Sequence, residues 1–181
     1  MSSTAIAPSA ALAPEPISIE EYLRTSYHPD VEYVDGFLEE RTMGEFEHGR
    51  LQMLLGMWFE THRTEWKVLV VSEFRNRVSS TRVRLPDVCL VPEDGPDEKV
   101  RVTPPILCIE IRSPEDRLPR ILSVFDDYLK MGVSNIWLLD PIERTAFTYD
   151  ERGLHAVNTP HLAIKNSPIF VDLPALFAAI R

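Results

Sequence analysis

No apolar run in this chain is long enough to span a bilayer, so a membrane-embedded protein is excluded as a first expectation. The opening segment MSSTAIAPSAALAPEP has no positively charged start and no sustained apolar stretch. It therefore predicts no secretory signal, and a cytoplasmic protein is expected. Its Ala/Pro/Ser composition predicts a flexible tail over residues 1–16, followed by one domain over 17–181. Cysteine is scarce too. Cys89 and Cys108 are the only two, each inside an apolar run (DVCLV and ILCIEI), as expected of buried core thiols. Their number and spacing exclude a zinc site and a disulfide framework. There is no Gly-rich phosphate loop, no nucleophile elbow of the Ser/His/Asp kind and no internal repeat. Positive charge is in deficit, with 19 Lys and Arg against 28 Asp and Glu, a net charge of −9. Indiscriminate nucleic-acid binding is thereby disfavoured.

The residues that are present spell out alternating strands and helices. Ser18 and Glu21 make a capping box for a short helix from Ile19 to about Ser26. VEYVDGFLEER reads as a hairpin turning at Asp35-Gly36. From Glu45 to His62 the spacing of Leu51, Leu54, Leu55, Trp58 and Phe59 is helical. WKVLVVSEF predicts a strand buried on both faces, Arg82 to Val91 a second strand, and Ile106 to Arg112 a third. A helix follows from Asp116 to Met131, with Leu118, Leu122, Phe125 and Leu129 as its core stripe and Gly132 at its end. Asn135 to Leu139 then reads as a strand parallel to ILCIEIR, joined to it by that helix, and Thr145 to Tyr149 as its antiparallel neighbour. A last short helix is expected over Pro174 to Ile180. The order implies a mixed sheet with helices on its faces.

Chemistry is suggested by acids in apolar strands. Asp87 interrupts LPDVCLV and Glu110 interrupts ILCIEI. A carboxylate there is costly unless it is paired or bound to a cation, and two such oxygen donors suit a hard ion such as Mg²⁺ or Mn²⁺. Arg112 lies two residues after Glu110 and is expected on the same face of that strand. Four arginines, Arg75, Arg77, Arg82 and Arg84, crowd into RNRVSSTRVR, with Arg112, Arg117 and Arg120 further on. Such a zone can engage a phosphate backbone, and it can equally be a solvated edge strand protected by charge. Glu115 and Asp116 read as helix caps, Asp35 as turn chemistry, Glu32 as a structural partner for an arginine, and Tyr128 and Trp137 as core aromatics.

Asp87 and Glu110-Ile111-Arg112, with 22 residues between the two acids, resemble the PD-(D/E)XK signature of restriction-endonuclease-like nucleases. E-Y-V-D-G from Glu32, His48, R-L-P-D-V from Arg84, E-I-R-S-P from Glu110, Tyr128 and W-L-L-D-P from Trp137 resemble one branch of that superfamily. It is a family of largely uncharacterised bacterial restriction-endonuclease-like proteins, and the likeness runs from Ile17 to the C-terminus. The resemblance implies a mixed sheet with an αβββαβ core. It implies that Asp87, Glu110 and the Ile111 carbonyl hold one or two Mg²⁺ or Mn²⁺ ions. It also implies DNA as the partner and, by analogy with enzymes that cut two strands, a homodimer.

The motif lysine is absent: its position holds Arg112, which stays protonated and cannot act as a base. Relatives that carry the lysine on the following helix place it one turn before the tyrosine, and there this chain has Val124. Arg112 is then expected to clamp a phosphate oxygen. His48 is either a core-edge histidine or an orienting group, and Glu47 or Glu45 could add an acid from the same helix; Glu47 could equally be compensating the helix dipole. Three readings follow. The chain hydrolyses DNA phosphodiester bonds with a divalent ion. Or it is a catalytically inactive nuclease-fold module that binds nucleic acid or protein. Or Asp87, Glu110 and Arg112 form a purely structural ion-pair network.

Overall fold

The computed structural model describes residues 15–41 and 45–181. Most of the tail expected over 1–16 lies outside the described residues. The chain opens with α1 (Ile19–Arg24), where Ser18 Oγ accepts from the Glu21 N–H at 3.1 Å as the capping box requires. A hairpin of β1 (Val31–Val34) and β2 (Phe37–Glu40) follows. Asp35 and Gly36 turn it with φ of 50° and 99°, the left-handed pair of a tight hairpin turn.

The long helix α2 (Phe46–Thr61) buries Leu51, Leu55 and Phe59, and a short α3 (Arg63–Trp66) extends it. Strand β3 (Val68–Val71) comes next, then the short β4 (Asn76–Arg77) and β5 (Arg82–Arg84). After Leu85 and Pro86 the chain enters β6 (Val88–Pro92) and then β7 (Leu107–Ile111). Helix α4 (Leu118–Met131) ends at Gly132 with φ 101° and leads to β8 (Ile136–Asp140). The remainder is β9 (Thr145–Asp150), β10 (Gly153–Ala156), β11 (His161–Ala163), β12 (Phe170–Asp172) and α5 (Leu173–Ala178).

These strands form a six-stranded mixed sheet in the order β10-β9-β8-β7-β6-β3, a four-stranded sheet β2-β1-β5-β4, and the pair β11-β12. β7 and β8 are parallel, joined through α4, and the other pairs of the large sheet are antiparallel. α2, β3, β6, β7, α4 and β8 thus reproduce the expected αβββαβ order. Strand alternation then sorts the core. Val88, Leu90, Leu107, Ile109 and Leu139 face α2 and α5, whereas Cys89, Val91, Cys108, Ile136 and Leu138 face α4. Both cysteines are free and buried.

Four expectations are corrected. The run Arg82–Val91 is two strands in two sheets, because Pro86 has no N–H to give a ladder and the chain crosses over there. β3 is an edge strand rather than a central one, with only Val68 fully buried. α4 turns a shifted stripe inward: of the expected residues Phe125 is buried and Leu129 packs against the core, but Leu118 does not. Ile121, Val124, Phe125, Asp127 and Tyr128 are buried, while Leu118 is exposed. Asp127 is tolerated inside because Arg82 and Arg84 donate to its carboxylate, on the same side as the apolar Ile121, Val124, Phe125 and Tyr128. α1 stops at Arg24, where the Thr25 N–H and hydroxyl bond back to Tyr22 and Glu21 carbonyls.

Candidate active site

The crossover at Pro86 places Asp87 where the two sheets part. Its carboxylate, almost wholly buried, accepts three bonds. Oδ1 takes Arg41 Nη2 at 2.6 Å, and Oδ2 takes the Ile111 N–H at 2.7 Å and His48 Nε2 at 3.2 Å. The Ile111 contact follows from strand parity. Cys108 and Arg112 direct their N–H groups to β8, so that of Ile111 points the other way, past the end of β6. Gln52 of α2 secures the turn by donating to the Asp87 carbonyl at 2.9 Å.

Glu110 lies on the α4 side of β7, and Tyr128 Oη donates to its Oε1 at 2.5 Å. Burial pushes the Glu110 carboxyl well above the usual carboxylate range, and the charges of Asp87 and Glu32 push it the same way; Tyr128 and Arg41 oppose them. For His48, burial acts to lower the pKa, but the hydrogen bond and charge of Asp87 outweigh it and the net shift is upward. Arg41 is held charged, since the attraction of Asp87 and Glu110 overcomes its burial. Glu32 completes the group from β1. Its Oε2 accepts from Arg84 Nη1 at 2.8 Å and Arg120 Nη2 at 3.1 Å, and its Oε1 from the Leu85 N–H at 3.2 Å.

Glu32, Arg41, His48, Asp87, Glu110 and Arg120 converge on one polar pocket, together with Ile111, Ser113, Asp116 and Val124. About 40 Å³ is open inside it, enough for an ion with roughly two or three waters. Among the described residues, no three His, Cys, Asp or Glu side chains are arranged as a ready-made metal cage. Four carboxylates line the pocket, those of Glu32, Asp87, Glu110 and Asp116, and carboxylate oxygens are donors of the kind Mg²⁺ uses alongside its own waters. Val124 lines its wall.

The structure brings together Asp87, Glu110, Ile111 and His48 as the sequence reading expected. It does not bring Arg112. The β7–β8 register pairs Ile111 with Leu139, so Arg112 falls beside Asp140 and bonds its Oδ2 at 2.8 Å. Its side chain is 46% exposed and borders a different cleft, with Ser113, Pro114, Asp140, Ile142 and Glu143. Glu47 is engaged by Arg181 and does not line the pocket, and Glu45 stands exposed before α2 without a side-chain cap bond. Asp116 does not cap α4; its carboxylate accepts from the Ser113 N–H at 2.8 Å in the preceding turn, and Arg117 is the N-cap.

The expected nucleic-acid arginines do not form one surface. Arg84 is 2% exposed and bound to Glu32, Glu39 and Asp127. Arg82 is shared by Asp35 and Asp127. Arg75 bonds the Thr25 carbonyl and lies over the Tyr22 ring. Arg77 belongs to β4, next to the buried Arg101 backbone. Arg82 and Arg84 hold the small sheet against α4, and Arg75 ties it to α1. Arg41 and the site roles of Glu32 and Tyr128 escaped the sequence reading, and Arg120 entered it only as part of the arginine-rich zone. Glu32 and Tyr128 left a signal, their places in the motif set.

A sequence profile of a family described as "Uma2: Putative restriction endonuclease" matches residues 19–174. No curated protein matches the chain significantly. Among solved structures, a crystal structure titled as a putative nuclease belonging to DUF820, from Anabaena variabilis, superposes with a TM-score of 0.80 at 20% identity, covering 92% of this chain and all of the other. At that identity the likeness speaks for the fold. A complex of DrdV with DNA matches at 17% identity over 71% of this chain and 75% of that one, with a TM-score of 0.35, too low to support an argument. No helix among the described residues is long and apolar enough to cross a membrane.

Proposed function

The chain belongs to the Uma2 family of restriction-endonuclease-like proteins, and from that premise we propose that it hydrolyses phosphodiester bonds in DNA with the help of a divalent metal ion. The observation that carries this reading is the convergence of Asp87, just before β6, and Glu110 of β7 on one small polar pocket. Asp87, Glu110 and the Ile111 carbonyl would hold Mg²⁺ or Mn²⁺. The ion would supply a water of lowered pKa and charge stabilisation at the phosphate.

This chain's residues have separable tasks. The Ile111 N–H fixes the Asp87 carboxylate, and the Tyr128 hydroxyl fixes that of Glu110. His48, on the first turn of α2, keeps a proton donor against Asp87 Oδ2. Arg41 and Arg120 bring the guanidinium groups that the motif position itself does not bring, and either can bind a phosphate oxygen bidentately. Arg112, outside the pocket, would contact the backbone of a bound strand rather than the scissile phosphate. A homodimer, expected for cutting both strands, draws support from the outward apolar residues Phe46, Met53 and Met57 of α2; a single-chain mass in sedimentation equilibrium would count against it.

The test is plasmid cleavage with Mg²⁺ or Mn²⁺ against a chelator control. Metal-dependent nicking by the wild type is expected. Binding of DNA without nicking at any metal concentration would favour the inactive-module reading, for which the engagement of both Asp87 oxygens by protein donors is the specific support. Val124→Lys offers a second check, because it returns an ammonium group to the pocket wall. One well-placed donor at a developing charge is worth roughly 100-fold or more, and a buried new lysine loses part of that to desolvation. The expected net gain is about tenfold in nicking rate. An unchanged rate in a variant folded as the wild type would argue that Arg41 and Arg120 already fill the role.

A further inference from the structure

Asp87 already holds a cation. Arg41 Nη2 stands 2.6 Å from Oδ1, the only oxygen of that carboxylate not taken by His48 and the Ile111 N–H. A divalent ion bound here would compete with this guanidinium for the same oxygen. Lysine could answer such competition by losing its proton, but arginine does not deprotonate in proteins. Arg41 keeps its charge, is repelled by an ion arriving at Oδ1, and is the group that can give way.

The structure supplies a second seat. Arg41 Nη1 lies 3.3 Å from Glu73 Oε1. Glu73 is not among the residues of the Asp87 pocket and is far more exposed than Asp87. Its backbone is in the left-handed region, φ 51°, and its N–H donates to the Pro86 carbonyl at 3.0 Å, next in sequence to Asp87. One guanidinium thus bridges a buried carboxylate inside the pocket and an exposed one at its rim.

We propose that Arg41 is a displaceable counter-cation: it neutralises Asp87 while no metal is bound, and on metal binding it shifts onto Glu73, where its donors become available to a phosphate oxygen of the substrate. The inference rests on reading Asp87 and Glu110 as metal ligands. It makes Arg41 a competitor of the metal and Glu73 a helper, although Glu73 has no contact with the ion.

The experiment is Mn²⁺ binding to the full chain without DNA, by electron paramagnetic resonance of free Mn²⁺, for wild type, Arg41→Gln, Glu73→Gln and Asp87→Asn. Removing one charge-assisted bond to Asp87 is expected to tighten Mn²⁺ about tenfold in Arg41→Gln. Glu73→Gln is expected to bind several-fold more weakly, because the displaced guanidinium loses its seat. Asp87→Asn is expected to lose binding. If Asp87→Asn loses Mn²⁺ but Arg41→Gln binds no tighter than wild type, the counter-cation role is overturned and the metal site stands. If Asp87→Asn binds like the wild type, the metal-ligand reading itself fails. Glu73→Gln alters an exposed side chain, so it remains informative should Arg41→Gln not fold; wild-type affinity in that variant overturns the proposal.

Discussion

Asp87→Asn and Glu110→Gln are each expected to lower DNA cleavage by about a thousandfold or more, on the scale of removing a group that stabilises transition-state charge. Their effects on stability should differ. Glu110→Gln removes one of three mutually repelling carboxylates from a buried pocket and keeps an oxygen for Tyr128. The metal-free variant should melt at the wild-type temperature or above it. Asp87→Asn loses the charge that holds Arg41 and His48 and one acceptor of a buried backbone N–H. It should be less stable by about 1–3 kcal/mol. Cleavage assays and thermal melts on the same preparations read both. A Glu110→Gln protein that still cuts, or one that melts well below the wild type, would contradict the role given to Glu110. Such a stability gain from disarming a site is the usual mark of a functional rather than structural charge cluster.

The second large effect concerns stability alone. Arg84→Ala is expected to destabilise the fold by about 3–5 kcal/mol, the cost of breaking a buried ion pair from one side. For a domain of this size that corresponds to a melting point lower by roughly 6–20 °C. Arg84 is the centre of a network joining Glu32 of β1, Glu39 of β2 and Asp127 of α4. Removal leaves two buried acids with fewer partners: Glu32 keeps Arg120 and the Leu85 N–H, and Asp127 keeps Arg82. Arg112→Ala provides the contrast. Its bond to Asp140 is half open to solvent, and such pairs are worth about 0–1 kcal/mol. Equal losses from the two variants would mean that the buried network is not what clamps the small sheet to α4.

The acids of the site were legible because a carboxylate in an apolar strand needs a reason, and Asp87 and Glu110 both break such runs. The helices that carry His48 and Tyr128 were legible from their spacing. The motif arginine was misleading: strand parity predicted Arg112 beside Glu110, but Asp140, one residue past the last position of β8 paired with β7, captures it. Arg41 and Glu32 became site residues only through long-range register, the β1–β2 and β1–β5 pairings that carry them to Asp87. No local pattern encodes that. Pro86 did carry a signal, since proline inside a supposed central strand argues for a break, and the break is what creates the site. Asp127 shows the reverse problem. A charged residue on a helix reads as solvent-facing, so the buried face of α4 was placed around Leu118 instead. The strands β10 to β12 are only three or four residues long, too short to give a period.

The claim on which the rest depends is that Asp87 and Glu110 hold a metal ion. A crystal grown with Mn²⁺, measured for anomalous scattering, tests it most directly. The expected result is a peak about 2.0–2.2 Å from an oxygen of each carboxylate, with the Ile111 carbonyl as a further ligand and Arg41 moved away from Asp87. A pocket without a peak at saturating Mn²⁺, with Arg41 still bonded to Asp87 Oδ1, would contradict it.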